Sequence, residues 1–207
     1  MSCKAWPSNL NFSNSLQSNG SESDRVEFCK NLDAYVLESF KSQTFMRGFS
    51  PRAVEKSLAE SNKKNLLDVF MKDWIFDRES CGNCEDIGTF YERNVKPKKE
   101  WRSWLLDFSA STHYSDAILV PFLSFAREDK ENDRGLLISK RSMGVSLLLI
   151  DTQNANVIWN SSRQSLLSKQ DLSTNGSNFP EFPKWSDVSQ ALMIDSLWRE
   201  YPGRVFL

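Results

Sequence analysis

The run Met143-Gly-Val-Ser-Leu-Leu-Leu-Ile150 constrains this chain more than any other stretch. Met143, Val145, Leu147 and Leu149 are all apolar, whereas the alternate set opens with Ser142, Gly144 and Ser146 and closes with Leu148 and Ile150. A strand sends successive side chains to opposite faces, so the first set predicts a face covered along its whole length. The second set predicts a face covered only near Asp151. A polar connector, Asp151-Thr-Gln-Asn-Ala-Asn156, then leads into Val157-Ile-Trp159, and a strand, an Asn/Asp/Thr turn and a second strand predict a hairpin. An earlier apolar run, Ala117–Phe125, predicts a third strand, and the charged segment Arg127–Gly135 between the runs reads as an exposed loop.

Helical periodicity surrounds this meander. Leu32, Tyr35, Val36, Ser39 and Phe40 share one face of a helix expected over Asn31–Ser42, and Thr44–Phe49 reads as a short strand. Ser50-Pro51 is a helix start, with Ser as N-cap and Pro where no amide hydrogen is needed; Val54 and Leu58 face inward. Leu66, Leu67, Phe70 and Trp74 predict the next helix, and Pro97 opens another with Trp101, Trp104, Leu105 and Phe108 at burial spacing. Asp77–Asn94 reads as irregular, and the chain after Arg163 as a polar loop through Asn178. Phe179–Pro183 is expected to cross the surface in extended form. A last helix follows, capped by Ser186 or Asp187, with Val188, Ala191, Ile194, Trp198 and Tyr201 inward. The expected fold class is α/β (α+β): a mixed, mostly antiparallel sheet with a C-terminal β-hairpin and helices packed on it. A single domain over residues 26–207 is expected behind a flexible tether, residues 1–25, whose Ser, Asn and Gly cannot offset chain entropy by burial.

The chemistry-bearing residues are few. With 207 residues, seven Trp, 14 Phe and a formal charge of −1, the chain can bury a core but carries no basic field that would draw it to nucleic acid. Cys81-Gly-Asn-Cys84 admits a disulfide, a redox dithiol or half a zinc site. Zinc asks for two further ligands, and Cys3, Cys29 and His113 lack the spacing. A redox pair belongs at a helix start after a strand, which these flanks do not supply, so a structural disulfide at Cys81 and Cys84, or with Cys29, is the expected reading. His113 is the sole histidine and no G-x-S-x-G elbow accompanies it, so no catalytic group and no metal or cofactor is expected. The sequons at Asn11, Asn19, Asn160 and Asn175 are what an Asn/Ser-rich chain produces by chance and receive no role. Ser2-Cys3-Lys4 before a Ser/Asn linker has the form of a bacterial lipoprotein after removal of its signal peptide, with Cys3 as lipidation site.

Taken together, several of these segments form a pattern. They are Ser2-Cys3, the Ser/Asn linker, Gly48-Phe-Ser-Pro-Arg52, Tyr114-Ser-Asp-Ala-Ile-Leu-Val-Pro-Phe122, Val145–Asp151 and Val157-Ile-Trp159. The pattern resembles the envelope lipoproteins of Leptospira and myxobacteria, themselves distantly similar to the curli-secretion lipoprotein and penicillin-binding-protein-activator group. The resemblance implies an α/β domain tethered by lipid on Cys3 to an outer membrane, with Asp151 and Trp159 as fold determinants. It implies no active site. This chain departs from the pattern at the hairpin turn, where Asn154-Ala155-Asn156 replaces the usual Gly. The functional expectation is a non-enzymatic assembly or accessory factor of the cell envelope that meets the membrane through its anchor and unknown protein partners. Two alternatives stay open: a thiol-disulfide or metal-dependent enzyme using Cys81 and Cys84, and a soluble intracellular domain with a disordered N-terminus.

Overall fold

The sheet at the centre of the molecule is built from three long strands: β1 (Ala117–Asp133), β2 (Leu136–Asp151) and β3 (Val157–Leu172), in the order β1-β2-β3 with both ladders antiparallel. In this computed structural model, residues 34–44, 56, 69, 86–111, 116–172, 178–195 and 197–201 are described. The expected tether, the Ser50-Pro51 helix, the Leu66–Trp74 helix and most of the Thr44–Phe49 strand lie outside them. Helical residues 34–43 form α1; α2 is Ile87–Asn94, α3 is Lys99–Ser111 and α4 is Trp185–Asp195. The fold is mixed α/β with an antiparallel sheet, as the alternating apolar runs require.

Helices cover both faces of the sheet. On one face, α2 and α3 bring Ile87, Phe90, Tyr91, Trp101, Trp104, Leu105 and Phe108 onto Ile118, Val120, Phe122, Leu148 and Ile150. On the other, α1 and α4 bring Val36, Phe40, Trp185, Val188 and Leu192 onto Leu123, Met143, Val145, Leu147 and Leu149. The period-2 reading of β2 thus places its residues correctly. Cover on the second face extends further than Leu148 and Ile150, however, because Gly144 and Ser146 are also buried. Ser146 stays satisfied there by a 2.8 Å hydrogen bond with Ser162 on β3.

Three expectations need correction. The segment Arg127–Gly135 is not a loop: β1 runs to Asp133, and the reversal needs only Arg134 and Gly135, both at positive φ (52° and 88°). Two positive φ values match the right-handed twist of a two-residue hairpin, and Asn132 Oδ1 accepts from the Gly135 amide at 3.0 Å. The charges are accommodated across the ladder, with Glu128 opposite Arg141 and Asp129 opposite Lys140. Nor is the chain after Arg163 a loop, since β3 continues to Leu172 and pairs with β2 down to Leu136. Its polar residues are compatible with a strand because most of them face water. Within Asp77–Asn94, residues 87–94 are helical.

That short helix, α2, is fixed by a cap. Asp86 Oδ1 accepts from the amides of Gly88 (2.8 Å) and Thr89 (3.2 Å), and Thr89 Oγ1 donates to Asp86 Oδ2 at 2.6 Å. Gly88 lies close to β3: a Cβ there would stand 2.6 Å from Asn160 Nδ2, the end of an exposed side chain that would have to move aside. Burial pushes the Asp86 carboxyl up, but the hydrogen bonds from the Thr89 hydroxyl and the two amides outweigh it and hold the group below its ordinary value. A carboxyl whose folded-state pKa is depressed adds stability above its unfolded value and loses it as pH falls through the folded one. Asp86→Ala is therefore expected to cost about 1 kcal/mol at neutral pH. The gap between the two proteins in urea titrations should close as pH drops below about 4. A gap that persists unchanged at pH 2–3 would show that the cap contributes through something other than the carboxylate.

Candidate functional site

Of the residues singled out from the sequence, Cys3, Cys29, Cys81, Cys84 and His113 lie outside the described residues. Among the described residues there is no group of three or more His, Cys, Asp or Glu placed to hold a metal ion. No helix among them is long and apolar enough to cross a membrane. Asp151 and Trp159 are both described. Asp151 Oδ1 accepts from the amides of Gln153 (2.7 Å) and Asn154 (3.1 Å), closing the hairpin turn. Trp159 is buried and stacks on Trp198, with centroids 5.5 Å apart, beside Tyr201.

Two buried polar clusters pin the layers together. In the first, the turn residue Ala155 sits at φ 60°, a conformation costing an L-residue about 1–2 kcal/mol. Its carbonyl accepts from the Tyr91 hydroxyl at 2.9 Å, and that hydroxyl in turn accepts from Trp101 Nε1 at 2.8 Å. Burial pushes the Tyr91 hydroxyl far above its ordinary range, so it remains a protonated donor. Residues of α2, α3 and the β2–β3 turn thus share one hydrogen-bond chain, which ties Ala155 to both helices.

The second cluster lies on the other face, near the far end of the sheet. Arg141 and Glu128 are both buried, and the guanidinium reaches Glu128 Oε1 through Nε (2.9 Å) and Nη2 (2.6 Å). Nη1 donates to the Pro183 carbonyl at 2.8 Å, and the guanidinium lies over the rings of Phe182 (5.3 Å) and Trp185 (4.8 Å). Lys130 sits over Phe179 and Phe182, and Ser139 Oγ donates to the Pro180 carbonyl at 2.6 Å. Segment Phe179–Pro183, expected to cross the surface in extended form, is bound to the hairpin through these contacts. Glu128 Oε2 is buried with no hydrogen-bond partner among the described residues. The cluster fixes the path of segment 179–184 against the hairpin.

Among the described residues, β3 presents an exposed stripe. Its even-numbered residues from Asn160 to Leu172 (Asn160, Ser162, Gln164, Leu166, Ser168, Gln170 and Leu172) are all exposed, and none is ionisable. Leu166 and Leu172 are 60% and 72% exposed. The charges of the same strand, Arg163, Lys169 and Asp171, fall on the opposite face by the period of two. Sequence reasoning missed this stripe because it took the segment for a loop; the alternation Gln164-x-Leu166-x-Ser168-x-Gln170-x-Leu172 was the available signal.

Comparison with family models, with curated proteins and with solved structures returns no match.

Proposed function

We propose that this chain is a cell-envelope protein, held at an outer membrane by lipid on Cys3, that works through protein contacts as an assembly or accessory factor. The observation that supports the reading best is the uncharged, exposed stripe of β3. Sheet faces open to water ordinarily carry charge, and a long strand with apolar residues left open serves as a template for contact. The buried polar groups described above are spent on holding the layers and the hairpin turn, which suits a scaffold. A single acyl chain binds membranes only marginally, so stable anchoring on Cys3 requires several chains, the arrangement that bacterial lipoproteins carry.

The test is metabolic labelling with radioactive palmitate. The native chain should take up label and partition with membranes, and Cys3→Ala should lose both. Label and partitioning that survive the substitution overturn the anchor. Reactive, reduced Cys81 and Cys84 that turn over a disulfide substrate would replace the accessory role with thiol chemistry.

A further inference from the structure

We infer that β3 is a self-association edge: it pairs antiparallel with β3 of a second copy of this chain, with Leu167 on the two-fold axis. The inference rests on reading the β3 surface as a contact surface and names its partner. Among the described residues β3 has a strand neighbour on one side only, β2. From Ser168 to Leu172 every residue is exposed, so both faces of the strand are uncovered there.

The charges select the partner and the register. A two-fold axis normal to the sheet keeps each face on its own side, so every register places one residue opposite its own copy. An axis at Lys169 or Asp171 sets like charges against each other, and an axis at Leu166 sets Arg163 against Lys169; directly opposed like charges destabilise a ladder. An axis at Ser168 opposes no charge to its opposite, and an axis at Gln170 pairs only Ser168–Leu172 of the described strand. With Leu167 on the axis, the ladder spans Ser162–Leu172. Arg163 then faces Asp171 twice, Gln164 faces Gln170 twice, and Leu167 meets its own copy. Arg163 already pairs with the exposed Glu200 at 3.2 Å, and Asp171 of the second copy would join them. The stripe of Ser162, Gln164, Leu166, Ser168, Gln170 and Leu172 becomes continuous across the two copies without one ionisable group.

Sedimentation velocity on the full chain up to about 100 μM, the weak end of specific association, tests this. A concentration-dependent dimer is expected. Asp171→Arg should weaken it about tenfold or more by setting Arg against Arg163, and the swap Arg163→Asp with Asp171→Arg should restore it. Unchanged circular dichroism and melting of each variant as a monomer keep folding out of the result, and amides of residues 162–172 should gain exchange protection as concentration rises. A chain that stays monomeric throughout, a dimer indifferent to Asp171→Arg, or one that the swap fails to restore overturns the inference. Failure here is separable from failure of the proposed function, because a monomer whose Cys3-dependent membrane association persists still fits an accessory factor with another partner.

Discussion

Arg141→Ala is expected to lose about 3–5 kcal/mol of stability, the largest effect of any single substitution considered, because it strands Glu128 in the interior without its counter-charge. The loss has a second part, since Arg141 also holds the Pro183 carbonyl and fills the space between Phe182 and Trp185. Arg141→Lys keeps the charge but cannot span Glu128 Oε1 and the Pro183 carbonyl with a planar fork, so it should recover only part of the loss. Replacing both members, Glu128→Leu with Arg141→Met, removes the stranded charge along with the orphaned Glu128 Oε2. That double variant should match or exceed the wild type by up to about 4 kcal/mol, since desolvating an ion pair often outweighs its attraction. Guanidinium titrations of the three variants check the ordering. A double variant as damaged as Arg141→Ala would show that the cluster is held by shape and ring stacking more than by charge.

Tyr91→Phe is expected to cost about 2–4 kcal/mol, although it deletes one oxygen from a core that otherwise keeps its shape. It removes the acceptor of Trp101 Nε1 and the donor to the Ala155 carbonyl in one step. The second loss bears on a residue that is already strained at φ 60°. Glycine adopts that conformation freely, so adding Ala155→Gly to Tyr91→Phe should recover about 1 kcal/mol. Ala155→Gly alone should change little, because relief of strain is offset by the loss of a buried methyl. Thermal and urea unfolding of the four proteins measure the coupling. Strictly additive effects would mean that the hydroxyl and the turn do not act on each other.

The parts of the fold legible in the sequence were those in which burial follows a simple period. Met143, Val145, Leu147 and Leu149 alternate without a break, and Trp101, Trp104, Leu105 and Phe108 lie one helical face apart. The parts that were not legible share one cause: polar or charged residues whose partners are distant in sequence. Glu128 reads as solvent until Arg141, thirteen residues on, is seen opposite it. Gln164–Leu172 reads as a loop until β2 supplies its hydrogen-bonding partner. Asp86 with Ile87, Phe90 and Tyr91 was a readable cap and face, obscured by Gly88, a residue that disfavours a helix interior. Of the candidate surface, residue alternation was visible but its exposure was not, because exposure depends on which elements arrive to cover it.

The ladder between β1 and β2 slips by one residue between Leu123 and Phe125, leaving Ser124 without an opposite number. Leu123 and Ala126, three apart, consequently share a core, and the rest of β1 is read in the opposite phase. Glu128 thereby arrives on the side of the sheet where α4 and segment 179–184 lie. Ser124 is thus a frame mark in the chain. Deleting it would close the bulge and leave Glu128 opposite Arg141, whereas drawing Ser124 into the ladder at unchanged chain length would turn Glu128 toward the other layer, as a frameshift changes the reading of a message.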